Sequence, residues 1–248
     1  MRIDVLLGEA LVVPADVADR VVVVIDVLRA ATTVAAALDA GARAVIPFET
    51  VDETASCAKS YARGEVQLAG ERRMVKIDGF DLGNSPAEYT PASVGGRTIL
   101  YTTTNGTMAL AATHGARACF FAGFVNVAAT VAAVRLAAGR GADVTMICAG
   151  HERHVALEDL VCAGRLVRGI SAGREVTRGD GARVAEMAER PFQGGIASVA
   201  LEAAHARSLI AAGFERDVEL CLTLDRYERA VRYHERQLQL EPATSKED

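Results

Sequence analysis

Four valines and an isoleucine in succession, Val21 to Ile25, run directly into Asp26, and an arginine and an alanine-rich segment follow within four residues. A β-branched run with no polar face suits a strand covered on both sides, the environment of a central strand in a parallel sheet. The strand is read over 21–27, and the segment behind it, 30–40, reads as a helix closed by Gly41. The same alternation continues along the chain. Strands are expected at 1–7, 44–48, 66–69, 98–102, 117–122 and 143–148, and helices at 51–63, 108–113, 127–138 and 157–170. Such an order predicts a three-layer α/β/α fold on a largely parallel, or mixed, sheet. Past Gly173 the pattern is mostly helical, with candidates at 183–189, 196–211 and 217–227. This last third is a candidate lobe or homodimer surface. The expected organisation is one α/β domain over 1–238 and a frayed polar tail over 239–248.

Half of the 248 residues are hydrophobic and 24% are charged, the balance of a globular chain with a sizeable core. A net charge of −5 and a pI near 5.6 exclude the basic excess of a nucleic-acid binder. No apolar run approaches the roughly 18 residues of a membrane span. The alternating N-terminus carries Arg2 and Asp4 and reads as a strand, not a signal peptide. The five cysteines (57, 119, 148, 162 and 221) are scattered, as expected of reduced thiols in a cytoplasmic protein.

Ligands of open parallel sheets bind beyond the carboxyl ends of the strands, and the unusual polar residues collect there. Asp26 and Arg29 follow one strand and Glu71 and Arg72 another. Thr103, Thr104, Asn105, Gly106 and Thr107 link a strand to a helix, Asn126 follows a fourth strand, and Glu152 follows a fifth. Asp26 is a candidate magnesium ligand or base, or else the cap of the turn behind it. The 103–107 segment offers hydroxyl and backbone donors to an anion, without the Gly-Lys-Ser/Thr of a Walker loop. Residues 79–86, Gly-Phe-Asp-Leu-Gly-Asn-Ser-Pro, combine a hard oxygen ligand, Asp81, with donors from Asn84 and Ser85. Glu158 and Asp159 open a helix, where carboxylates favour the dipole or ligate a metal. His151 and His154 flank Glu152 and Arg153; they read as surface histidines or as a proton donor. Cys162 and Arg168 have the spacing of a cysteine phosphatase, but Cys162 falls inside an amphipathic helix. There is no Asp-x-Asp-x-Thr/Val segment for an aspartyl-phosphate route.

Taken together these segments resemble the 2-phosphosulfolactate phosphatase family. The resemblance is carried by Val24-Ile25-Asp26-Val27-Leu28-Arg29-Ala30, Leu68-Ala69-Gly70-Glu71-Arg72, residues 79–86 and Thr103 to Thr107. Further segments are Cys148-Ala149-Gly150, Leu157-Glu158-Asp159 with Cys162-Ala163-Gly164, and Gly213-Phe214 with Asp217-Val218. They span about residues 21–221 in the family's order. The sequence departs from the family pattern at Arg73 and Met74, where small glycines are usual, a change that bears on substrate preference. The resemblance implies a Mg2+-dependent hydrolase converting 2-phospho-3-sulfolactate to 3-sulfolactate and phosphate, a step of coenzyme M biosynthesis in methanogens. Under that reading, carboxylates from Asp26, Glu71, Asp81, Glu158 and Asp159 hold the metal. Arg29 and Arg72 grip the small anionic phosphorylated substrate, and the 103–107 loop, Asn84, Ser85 and Asn126 supply neutral donors. The alternatives are a phosphatase for another 2-phospho-hydroxy acid, or a non-catalytic binder of small sulfonated or phosphorylated acids.

Overall fold

The computed structural model describes residues 1–139 and 141–242. Its frame is an 11-stranded sheet. In chain order the elements are β1 (Arg2–Leu6), β2 (Val21–Ile25), α1 (Ala30–Asp39), β3 (Ala44–Pro47), α2 (Val51–Ala58), β4 (Val66–Arg72), β5 (Val75–Lys76) and α3 (Pro91–Val94). There follow β6 (Thr98–Thr102), α4 (Gly106–Ala111), β7 (Ala118–Ala122), α5 (Val127–Ala138), β8 (Val144–Cys148), α6 (Leu157–Ser171), β9 (Thr177–Arg178) and α7 (Asp180–Glu189). The chain closes with α8 (Val199–Glu202), α9 (Ala204–Ala211), α10 (Glu215–Cys221), β10 (Val231–His234) and β11 (Gln237–Leu240).

The spatial order is β5-β4-β6-β3-β11-β10-β7-β2-β8-β1-β9. β7, β2, β8, β1 and β9 form one parallel block, and β3, β6 and β4 form another. The β10–β11 hairpin pairs antiparallel with β7 on one side and β3 on the other, so the two blocks run in opposite senses. Strands twist by about 20–25° per neighbour. Over the five steps from β2 to β6 that is more than about 100°, enough to turn nominally opposed strand ends toward one crevice.

Alternate residues of each central strand enter opposite layers, as the period of two requires. Val21, Val23 and Ile25 of β2 pack with Phe120, Met146 and the inner faces of α5, α6 and α7. Val22 and Val24 pack on the other face with Phe121, Ile147 and the alanines of α1. All five are fully buried, which is why the run contains no polar residue.

Several expectations are corrected. The helix expected at 51–63 stops at Ala58. That expected at 196–211 breaks at Ala203, where Arg207 Nη1 donates to the carbonyls of Leu201 and Glu202 at 2.8 Å each. The one expected at 217–227 is the shorter α10. Residues 239 and 240, expected in a frayed tail, belong to β11 in the middle of the sheet. Val231 and Leu238 are fully buried there, and Glu235 and Arg236, at φ 48° and 63°, make the two-residue turn of a hairpin. Of that expected tail, residues 243–248 lie outside the described residues. No described helix is long and apolar enough to cross a membrane.

Candidate active site

The polar residues behind β2, β4, β6 and β8 converge on a crevice of about 160 Å³, well below the roughly 300 Å³ of a drug-sized site. Asp26 lies at its base, only 6% exposed. Its Oδ1 accepts from the Ala30 amide at 3.1 Å, so the residue caps α1 as well as lining the crevice. Oδ2 takes no hydrogen bond among the described residues. Burial, the largest influence, raises this carboxyl from about 3.8 to about 6; Glu71 and Glu158 add to the rise, while the Ala30 amide and His205 oppose it. A β-carbon at Gly106 would lie 2.6 Å from Oδ2, so glycine there is what lets α4 approach the carboxylate.

Asp159 binds the two loops behind β2 and β8 together. Its Oδ1 accepts from Val27 N at 2.8 Å and its Oδ2 from Gly150 N at 3.0 Å. Its pKa is raised well above the usual carboxylate range, first by burial and then by Glu158 and Asp26. Glu71 does the same work at the other wall: Oε1 accepts from the amide and hydroxyl of Thr104 at 2.9 Å, and Oε2 from Met74 N at 2.8 Å. Every oxygen of these two carboxylates is therefore engaged by the chain, whereas Asp26 keeps an open one on the crevice. Just before Glu71, Gly70 (φ 148°) lies so close to the Thr102 carbonyl that an added β-carbon would sit 2.0 Å from its oxygen, which explains a glycine at the β4–β6 seam.

Arg29 reaches the crevice fully committed in position. Nη1 donates to Asp217 Oδ2 at 2.7 Å, Nη2 donates to the Met74 carbonyl at 2.9 Å, and the guanidinium lies 4.2 Å over the Phe214 ring. Ser85 Oγ donates to the other oxygen of Asp217 at 2.7 Å. Asn84 lines the crevice, with Tyr101 Oη donating to its Oδ1. Thr103 also lines it, and its buried hydroxyl has no hydrogen-bond partner among the described residues. Thr107 Oγ1 donates to the Thr103 carbonyl at 3.0 Å and braces that loop, and Asn105 completes the wall.

Four residues singled out from the sequence lie elsewhere. Asp81 is exposed, and its Oδ2 accepts from Leu68 N, 13 residues earlier, at 2.8 Å, bracing β4. Arg72 turns away from the crevice, donating to the carbonyls of Glu71 and Glu49 and to Thr102 Oγ1. Asn126 is fully buried and closes its own turn, accepting from Gly123 N at 3.0 Å and donating to Phe121 O at 3.2 Å. Glu158, outside the crevice lining, meets His205 on α9, whose Nδ1 lies 3.1 Å from Oε1, while its buried Oε2 has no hydrogen-bond partner among the described residues. Among the described residues no group of three or more His, Cys, Asp or Glu side chains is arranged to hold a metal ion.

The sequence left His205 unmarked among these crevice residues. His205 stacks on His151 with ring centroids 3.7 Å apart, and both line the crevice. The His151 pKa is lowered, first by burial and then by His205. Arg73 and Met74 line the wall at the β4–β5 turn. His205 sits in a helix with no polar motif around it, so only tertiary packing marks it. Asp217 and Phe214 stood within a segment of the family resemblance, but without a role.

The model of the 2-phosphosulpholactate phosphatase family matches residues 9–236. Proteins named probable 2-phosphosulfolactate phosphatase are similar over nearly their whole length. That of Symbiobacterium thermophilum is 39% identical over 84% of this chain and 89% of its own. That of Caldanaerobacter subterraneus is 34% identical over 86% and 87%, and that of Clostridium beijerinckii 34% identical over 90% and 92%. The chain belongs to the 2-phosphosulpholactate phosphatase family.

Proposed function

We propose that this protein is a phosphatase that hydrolyses 2-phospho-3-sulfolactate to 3-sulfolactate and phosphate, with Mg2+ as its metal. One observation carries the reading: a buried carboxylate with an open oxygen, Asp26, shares a small crevice with a positionally locked arginine, in a chain matched by the family over residues 9–236. Arg29, oriented by Asp217, offers its remaining N–H groups to a phosphoryl oxygen, where charge-assisted hydrogen bonds are strong. The unpartnered Thr103 hydroxyl and the Asn84 amide supply neutral donors to the same group. Burial raises the Asp26 carboxyl to about 6 without a metal, and a cation bound beside it would favour the ionised form.

The residues fit a lightly held magnesium ion. Mg2+ keeps several waters and is commonly bound through one or two carboxylates and the substrate's phosphate, and the open, hard oxygen of Asp26 on the crevice suits it. Asp26, through Oδ2, would hold it. Bound there, the ion would neutralise phosphoryl charge and acidify water beside it.

Phosphate release from 2-phospho-3-sulfolactate, measured with Mg2+ and after chelation, tests the proposal. No release from this or any other 2-phospho-hydroxy acid would refute the phosphatase reading, and release unaffected by chelation would remove the metal.

A further inference from the structure

Two cations line the crevice, Arg29 and Arg73. Arg29 has its charge matched by Asp217 at 2.7 Å. Arg73 makes no hydrogen bond and no ion pair within the chain, among the described residues, and its side chain is exposed at the rim. Without it, the lining that carries Asp26, Glu71 and Glu152 would repel a multiply charged anion.

The backbone that presents Arg73 is unusual and is held from inside the crevice. Arg72 pairs with Val75 across the β4–β5 hairpin, so Arg73 and Met74 form its two-residue turn. Their φ angles are 52° and 69°, both left-handed, a turn normally made by Asn-Gly. Here L side chains occupy both positions. Glu71 Oε2 accepts from Met74 N at 2.8 Å, and Arg29 Nη2 donates to Met74 O at 2.9 Å. Two crevice residues thus fix the root of an arginine whose guanidinium is left free.

We infer that Arg73 is a specificity-determining residue: it takes a second anionic group, sulfonate or carboxylate, carried on the same small molecule as the phosphate. The inference rests on the phosphatase reading for the phosphate itself, but its own content is the second anion. Arg29 and the neutral donors take the phosphoryl group. Arg73 distinguishes a polyanionic ester from one with no other charge. A planar fork on a long side chain suits both carboxylate and sulfonate oxygens.

The test compares wild type, R73A and R73K. Phosphate release is measured on 2-phospho-3-sulfolactate, 2-phospholactate and isopropyl phosphate, and 3-sulfolactate binding is measured by calorimetry. R73A is expected to reduce the kcat/KM preference for the polyanionic esters over isopropyl phosphate by about ten-fold or more, mainly through KM, the size of one lost charged hydrogen bond. R73K should recover part of it, and 3-sulfolactate should bind R73A about ten-fold more weakly. Equal losses on all three esters, or unchanged 3-sulfolactate affinity, would overturn the inference while leaving the phosphatase reading standing. If wild type releases phosphate from none of them, the phosphatase reading fails and calorimetry alone decides the role of Arg73: weaker binding by R73A supports it and equal binding refutes it.

Discussion

Asp217→Ala removes the carboxylate on which the crevice's locked arginine depends. Arg29 is 3% exposed and Asp217 6%, and their Nη1–Oδ2 distance is 2.7 Å. What would remain around the guanidinium is the Met74 carbonyl and the Phe214 ring, neither bearing a full negative charge. Stranding one member of a buried ion pair costs about 3–5 kcal/mol. Ser85 Oγ, 2.7 Å from the second oxygen, loses its acceptor as well, at about 1 kcal/mol. For a chain of this size about 1 kcal/mol corresponds to roughly 2–4 °C in Tm, so D217A should melt about 8–24 °C below wild type. Urea denaturation supplies the free energy directly, and Arg29→Met in the D217A background supplies the control. With no charge left unpaired, that double variant should recover at least about 1 kcal/mol. A D217A loss under about 1 kcal/mol, or a double variant no more stable than D217A, would refute the account of Arg29 as a charge held by its buried partner.

Asp26→Asn should lower kcat at least about 100-fold in a protein that remains folded. It should also change the pH dependence of stability. The Asp26 pKa is higher in the folded chain, about 6 against an ordinary 3.8, so its favourable contribution is complete below about pH 4 and is lost as pH rises through 6. Urea denaturation without divalent ions should therefore find D26N up to about 3 kcal/mol more stable than wild type at pH 8, with the gap closing toward pH 4. A gap independent of pH would assign that titration elsewhere. Asp81→Ala, outside the crevice, should cost about 1 kcal/mol for the lost bond to Leu68 N and leave kcat/KM within about three-fold of wild type. A ten-fold fall in kcat would bring Asp81 back into the chemistry.

Residues whose role depends on their immediate neighbours were legible. The run ending in Asp26 announced both a doubly covered strand and a carboxylate at its end, because burial on both faces is written into every residue of such a strand. Thr103 and Asn105 were recognisable as a strand-end loop for the same reason. Arg72 and Arg73 show the limit. Adjacent residues of a strand and turn point in different directions, so the same chemistry one position apart lies outside the crevice or on its rim. Asp81 misled because the amide that takes its carboxylate, Leu68 N, stands 13 residues earlier, beyond the reach of any local pattern.

The chain's local patterning determined the α/β class, the central strands and the candidate carboxylates, since periodicity, caps and continuous apolar runs are properties of short segments. Tertiary structure alone decided that a polar C-terminal hairpin is inserted between two opposed parallel blocks, and that its register buries Val231 and Leu238. It likewise decided which carboxylates are free. Asp159 and Glu71 are occupied by amides and a hydroxyl from 3 to 132 residues away, and Arg29 by an aspartate 188 residues away. A side chain's chemistry is set by its own atoms, but its availability is set by whatever the fold brings against it.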